Sequence, residues 1–186
     1  MRILPLILVA VFSIAAVVSC TSTKKAVSNT GSTVETVSTG INWVSLEEAQ
    51  ELAKKNPKKI FIDVYTDWCG WCKKMDRTTF QDPEVAVEMN KHFYAVKFDA
   101  EDKRTIEFDG RTYRYSAAEK TNELALKLLY RQMSFPSYAI LNAKLESISV
   151  VPGYIEDAEM EVLLGYFGDD HYKDTSWERY SENLLK

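Results

Sequence analysis

FIDVYTDWCGWCKKM, residues 61–75, is the stretch of this sequence that decides the fold. Its first half belongs to Lys59–Thr66, a run of β-branched and aromatic residues that predicts a buried central strand. Cys69 and Cys72 follow, separated by two residues, and a helix is predicted from there to about Thr79. The chain therefore passes from a buried strand through a Cys-x-x-Cys turn into a helix.

The chemistry of such a turn follows from its place at the start of a helix. Unpaired backbone N–H groups and the positive end of the helix dipole stabilise a thiolate there, so the pKa of the first cysteine should fall below its usual value of about 8.5. Cys69 is then the expected nucleophile. Cys72, one turn further along, is the expected resolving thiol that releases the product from a mixed disulfide.

Two other uses of the cysteine pair compete with a redox function. A zinc site needs four ligands, and the other soft candidates, His92 and His171, do not have zinc-knuckle spacing, so no metal is expected. A structural disulfide over so short a loop removes little chain entropy. The order of strand, Cys-x-x-Cys and helix favours the redox pair, although a structural clip stays open.

The N-terminal segment predicts export and a lipid anchor. Residues 1–19 begin with Arg2 and continue with an apolar run of about sixteen residues, which is short for a membrane-spanning helix of roughly 20 and indicates a signal peptide. The run ends in Val-Val-Ser-Cys20, which resembles the bacterial lipobox and predicts lipid attachment to Cys20. The Ser/Thr-rich remainder of residues 20–40 predicts a flexible tether.

Composition and charge limit the number of domains and the classes of partner and cofactor that the sequence can have. The 186 residues suit one domain, expected over residues 41–186, plus the appendages. A net charge of −4 gives no basic surface for nucleic acid, so no nucleic-acid partner is expected. The chain has no glycine-rich phosphate loop, so no nucleotide or other cofactor is expected.

Hydrophobic periodicity and turn residues predict alternating strands and helices in this domain. An α/β sandwich with one central sheet follows from that alternation. The predicted strands are 42–44, 59–66, 93–99 and two antiparallel strands after Pro136, and a hairpin is predicted over 105–115 around Asp109-Gly110. The predicted helices are 46–55 with Ser45 as N-cap, about 70–79, 83–91 with Asp82 as N-cap, 117–131, 158–167 and a terminal piece at 177–185.

The sequence around the two cysteines resembles the thioredoxin superfamily. The signature is the hydrophobic strand, the buried acid and Trp-Cys-x-x-Cys-Lys of residues 61–75, joined by Lys97, by Phe135-Pro136 and by Gly153 at the family's positions. The segment CKKMDRTTFQDPEV more closely resembles the periplasmic C-terminal domain of DsbD-type membrane electron transporters. The resemblance implies a thioredoxin-like three-layer sandwich with a mixed central sheet, here with an inserted hairpin and a C-terminal helical extension.

The resemblance also implies roles for individual residues. Asp63 would be a buried acid that accepts the proton of Cys72, although an exposed acid at a strand end is the plain alternative. Phe135-Pro136 would form a cis-proline loop that pairs with an extended substrate. Trp68 is expected to pack beneath the site and Trp71 to be exposed, and both are candidates for substrate contact.

These observations together predict a thiol–disulfide oxidoreductase that reduces disulfides of envelope proteins on the periplasmic side of a bacterial membrane. Since no cofactor site is evident, it would need a membrane electron donor. The Gly70-Trp71 dipeptide differs from that of common thioredoxins, so a disulfide oxidase or isomerase stays open. A non-catalytic binding module with a structural Cys-x-x-Cys is the alternative from another class.

Overall fold

The structure is a computed structural model that describes residues 40–182 and 184–185. The predicted signal peptide, Cys20 and most of the predicted tether lie outside the described residues. All described residues belong to one compact unit. Of the helices in this part of the chain, none is long and apolar enough to cross a membrane.

The main sheet has five strands in the described residues, in the order β1-β3-β2-β8-β9. Strand β2 lies at its centre, parallel to β3 and antiparallel to β8, so the sheet is mixed as expected. The strands are β1 Trp43–Val44, β2 Lys59–Tyr65, β3 Phe93–Asp99, β4 Ile106–Phe108, β5 Arg111–Tyr113, β6 Tyr115–Ser116, β7 Thr121–Asn122, β8 Ser137–Leu141 and β9 Ser147–Pro152.

Helices cover both faces of this sheet. The helices are α1 Leu46–Lys55, α2 Gly70–Arg77, α3 Pro83–His92, α4 Glu123–Leu128, α5 Asp157–Gly168 and α6 Trp177–Ser181, with 3₁₀ turns at Thr79–Gln81 and His171–Lys173. One core joins α1, α4 and the β4–β5 hairpin to the sheet. The other joins α2, α3 and α5 to the opposite face. The predicted three-layer α/β sandwich is confirmed.

The N-caps of α1 and α3 are those that the sequence predicts. The hydroxyl of Ser45 accepts the backbone N–H of Glu48 at 3.0 Å. The carboxylate of Asp82 accepts the N–H groups of Glu84 and Val85 at 2.9 and 3.0 Å, and Pro83 occupies the first turn. Because these bonds pair N–H groups that the helix itself leaves unpaired, they place both helix starts where local sequence indicates.

The predicted helix over 117–131 is wrong, because α4 covers Glu123–Leu128 only. The residues before it form a small antiparallel pair between β6 and β7, and Lys120 in the intervening turn has φ of 52°. The side chain of Asn122 caps α4 by accepting the N–H of Leu124 at 3.0 Å. The same amide donates to the backbone oxygens of Asp102 and Arg104, so contacts with the loop that follows β3 hold this segment extended.

The inserted hairpin is confirmed, and it packs on the core rather than standing free. Asp109 and Gly110 both have positive φ, 51° and 68°, as the two central residues of a tight hairpin turn require. Ile106 and Phe108 of β4 are buried in the core that α1 covers. The amide of Gln50 in α1 bonds the backbone at both ends of the strand-to-turn segment 107–109.

The C-terminal extension has a shorter helix than the 177–185 that was predicted. Helix α6 ends at Ser181. Its aromatic side chains pack on α5, with ring centres of Trp177 and Tyr180 lying 5.4 and 5.2 Å from that of Tyr166. The extension therefore closes the core on the α3–α5 face.

Candidate active site

Cys69 and Cys72 form a disulfide at the N-terminus of α2. Cys69 is the N-cap of this helix, and its sulfur accepts the backbone N–H of Cys72 at 3.0 Å. The position is one that a serine or aspartate oxygen usually occupies. Since both side chains are almost completely buried, at 4% and 3% exposure, the helix N–H groups act on the Cys69 sulfur with little competition from water.

A row of three polar side chains crosses the sheet on the face that α2 covers. Asp63 of β2 pairs in register with Lys97 of β3 on one side and with Tyr138 of β8 on the other. The carboxylate is 1% exposed, so Asp63 is the buried acid that the sequence favoured and not an exposed strand-end residue. The Lys97 ammonium donates to Asp63 Oδ2 at 2.9 Å and also to Asp76 of α2, which links the sheet to the helix.

Burial and charge act in opposite directions on Asp63. Removal from water raises the pKa of the carboxyl group from 3.8 to about 6, while the charge and hydrogen bond of Lys97 lower it and the charge of Asp76 raises it. Burial lowers the pKa of Lys97, but its two carboxylate partners outweigh this and raise it overall. Asp63 therefore exchanges its proton near neutral pH, while Lys97 stays charged.

Two aromatic pairs include the tryptophans that are next to the cysteines in the chain, Trp68 and Trp71. Trp68 and Phe135 meet edge to face, with ring centres 5.8 Å apart, and the indole N–H of Trp68 donates to Glu101 Oε1 at 2.8 Å. Trp71 and Tyr154 lie 5.2 Å apart. Trp71 is 56% exposed, as expected, but the expectation that Trp68 packs beneath the site is wrong, because its side chain is 66% exposed. The bond to Glu101 holds it on the surface.

The loop before β8 completes the site. The Phe135–Pro136 peptide bond is cis, as the resemblance implies. Pro136 is buried and its carbonyl oxygen accepts the N–H of Gly153 at 2.8 Å, where φ of 104° at Gly153 requires glycine. Within the described residues no group of three His, Cys, Asp or Glu side chains is placed to hold a metal ion.

A family model named Thioredox_DsbH and described as "Protein of unknown function, DUF255" matches residues 28–124, just over half of the 186 residues. The chain belongs to this family. Two solved structures show the fold. A thioredoxin-fold protein from Helicobacter pylori superposes with a TM-score of 0.52 and 14% identity, over 81% of this chain and 91% of that one. A thioredoxin from Thermus thermophilus superposes with a TM-score of 0.51 and 19% identity, over 74% of this chain and 99% of that one. The thioredoxin fold is thus confirmed.

Curated relatives match this DUF255 family member over short segments. The thiol:disulfide interchange protein DsbD of Vibrio vulnificus is 32% identical over 76 residues, which are 38% of this chain and 13% of that protein. Spermatogenesis-associated protein 20 of Rattus norvegicus is 34% identical over 61 residues, which are 33% and 8%. The chain thus spans a small fraction of the length of these relatives.

Four residues that contact the site in this DUF255 family member were not singled out from the sequence: Asp76, Glu101, Tyr138 and Tyr154. Asp76 carried a signal, because it lies four residues after Cys72 and so on the same face of α2. The signal for Tyr138 was weaker: it lies two residues after Pro136 in a predicted strand, where alternate side chains point to the same face. Glu101 and Tyr154 lie in loops, and only the structure brings them to Trp68 and Trp71.

Proposed function

We propose that this chain is a thiol–disulfide oxidoreductase that works through Cys69 and Cys72. The observation that carries the proposal is the Cys69 sulfur at the N-cap of α2, where it accepts the N–H of Cys72. A helix start that stabilises a thiolate is what a cysteine nucleophile needs. The 32% identity of a 76-residue segment to the thiol:disulfide interchange protein DsbD of Vibrio vulnificus supports the same function.

Reduction of a substrate disulfide would take two steps. The Cys69 thiolate attacks one sulfur of the substrate, which forms a mixed disulfide and releases the other sulfur as a thiolate. Cys72 then loses its proton and attacks the Cys69 sulfur, so that the Cys69–Cys72 disulfide forms and the second substrate thiolate leaves. Two electrons pass from the protein to the substrate.

Asp63 would accept the proton of Cys72 in the second step. Its carboxyl group is buried on the face that α2 covers, and its pKa of about 6 lets it both take up and release a proton near neutral pH. Lys97 holds the carboxylate through Oδ2 and would stabilise its charged form before the transfer.

The exposed aromatic surface would bind the substrate around its disulfide. Trp68, which packs on Phe135, and Trp71 are both exposed, and large exposed aromatic side chains are frequent anchors of protein contacts. The backbone around Pro136 would pair with an extended segment of the substrate. A partly unfolded protein, which exposes apolar side chains beside its cysteines, fits this surface.

We further propose that the protein acts as a reductase in a bacterial envelope. Residues 1–19 would be the signal peptide, Cys20 the lipid attachment site and residues 20–40 the tether of the domain 41–186. The similarity of a segment to the DsbD of Vibrio vulnificus supports reduction of disulfide-bearing envelope proteins, with re-reduction by a membrane dithiol donor. Oxidation or isomerisation of disulfides is the alternative, because Gly70-Trp71 differs from common dipeptides.

Two measurements test this function. Reduction of insulin in the presence of dithiothreitol should proceed with the native protein and stop with Cys69→Ser, whereas equal slow rates for both would contradict the enzyme function and favour a binding module. The redox potential of the Cys69–Cys72 pair then gives the direction. A value well below about −200 mV supports a reductase, and one near −120 mV supports an oxidant.

A further inference from the structure

Tyr138 lies directly opposite Asp63 in the antiparallel pair of β2 and β8. Directly opposed residues point to the same face of a sheet, with Cβ atoms about 4.5–5.5 Å apart. The Tyr138 side chain is completely buried, and its ring stacks on Phe61 with centres 5.3 Å apart. The hydroxyl group is thus carried into the interior on the face that contains Asp63.

Both residues hold a buried polar atom without a hydrogen-bond partner among the described residues, the Tyr138 hydroxyl and Asp63 Oδ1. A buried polar group without a partner costs free energy, and phenylalanine would fill the same space without that cost. The other carboxylate oxygen, Oδ2, is already bound by Lys97. A donor and an acceptor are therefore left over on opposed residues of one face.

We propose that Tyr138 is a positioning residue whose hydroxyl reaches Asp63 Oδ1 through a bound water and stabilises the charged carboxylate. The inference rests on the proposed function, in which Asp63 takes the proton of Cys72. It deepens that function because the hydroxyl determines how much of Asp63 is charged, and so ready to accept a proton, at a given pH. Burial and the nearby charge of Asp63 both raise the pKa of Tyr138, so the tyrosine stays protonated and can donate.

Other titratable groups act on this pair from the surrounding elements, and a test must leave them unchanged. They are Lys97 of β3, Asp76 of α2, Tyr65 of β2 and Tyr154 after β9. The disulfide cysteines of α2 do not titrate in the oxidised protein. Tyr138→Phe removes one hydroxyl and none of these groups, so a change in the titration of Asp63 reports on that hydroxyl.

The direct test is a carboxyl ¹³C NMR titration of Asp63 in the oxidised protein, with the resonance assigned by its absence in Asp63→Asn. Tyr138→Phe should raise the midpoint by about one pH unit, since hydrogen bonds to charged groups are strong. The matched control is Tyr113→Phe, a buried tyrosine in the core on the opposite face of the sheet, which should leave the midpoint unchanged. Equal midpoints in Tyr138→Phe and the native protein, to within about 0.2 units, would overturn the proposal.

A kinetic measurement gives an independent readout. The rate at which Cys72 resolves a mixed disulfide on Cys69 should rise with pH as Asp63 ionises, and Tyr138→Phe should move this rise to higher pH by the same amount as the NMR midpoint. If Tyr138→Phe fails to fold, Tyr138→Met also removes the hydroxyl and serves in both tests. A native protein without insulin turnover would contradict the proposed function and leave the NMR comparison valid, so the two failures can be told apart.

Discussion

Asp63 is subject to two opposing influences, the apolar interior that disfavours its charge and the Lys97 ammonium 2.9 Å away that favours it. Burial prevails, because the pKa stands at about 6 against an ordinary 3.8. A carboxyl group with this pKa is a better proton acceptor for a thiol than one with an ordinary pKa, since it binds the proton more tightly. In the proposed mechanism, Asp63 thus makes the proton transfer from Cys72 depend on pH.

Asp63→Asn should therefore slow the resolution of a mixed disulfide at pH 7 by on the order of 10²-fold, because Cys72 loses its proton acceptor. Attack by Cys69 should change far less. Stopped-flow measurement of both steps with a chromogenic disulfide separates them. The control is Asp67→Asn, which changes an exposed acid two residues before Cys69. Equal slowing of both steps, or of both variants, would contradict the assignment of Asp63.

For Trp68 we predict an effect on substrate binding and not on the chemical steps. Trp68→Ala removes a side chain that is 66% exposed and packs on Phe135, so it should raise KM for a protein disulfide by about tenfold with little change in kcat. Steady-state kinetics with a reduced donor in excess give both constants. Val87→Ala, an exposed apolar residue of α3, should leave KM unchanged. A fall in kcat at constant KM would place Trp68 in the chemical steps instead.

At the scale of elements, Asn122 joins the start of α4 to the loop that follows β3. Asn122 is completely buried, and Asn122→Ala removes the cap of α4 and the two bonds to the backbone oxygens of Asp102 and Arg104. The free energy of unfolding should fall by about 2–3 kcal/mol. Chemical denaturation of the oxidised protein measures it.

Asn142→Ala is the matched control for that change. Asn142 also accepts backbone N–H groups, from Lys144 and Glu146, but in an exposed turn. Its loss should cost under about 1 kcal/mol, because water replaces the lost bonds. Equal losses in the two variants would show that Asn122 acts as a local turn residue only.

Elements set by local signals could be predicted from the sequence, and those set by distant contacts could not. Ser45 and Asp82 cap helices through residues two or three positions away, and both helix starts were predicted correctly. Strand β3 was also predicted with its observed bounds. The helix over 117–131 failed because Asn122 bonds residues about 20 positions earlier, which no local pattern reveals. The sequence motif was enough to indicate Asp63 and Cys72. The position of Tyr138 opposite Asp63 could not be predicted, because it depends on the register between β2 and β8.

At the scale of the whole molecule, the buried site makes stability depend on pH. Unfolding returns Asp63 to water, where its pKa is 3.8, from a folded value of about 6. Between these values the folded protein binds more protons than the unfolded chain, so the free energy of unfolding falls as pH rises. From about pH 7 upward Asp63 is ionised in both states, and the 2.2-unit difference between its two pKa values then corresponds to a loss of about 3 kcal/mol in the free energy of unfolding. Lys97 stays charged through this window and adds no slope.

Asp63→Asn should remove this dependence. Relative to the native protein, the variant should gain about 2.5 kcal/mol in the free energy of unfolding between pH 4 and pH 7, because the uncharged amide carries no ionisation cost. Urea denaturation of both oxidised proteins at several pH values measures the difference, and Asp67→Asn, which changes an exposed acid, should show none of it. If the difference stayed constant with pH, Asp63 would be charged in the folded protein throughout, and Lys97 would outweigh burial. The same result would remove the proton acceptor from the proposed mechanism, so stability and catalysis are tied to one carboxyl group.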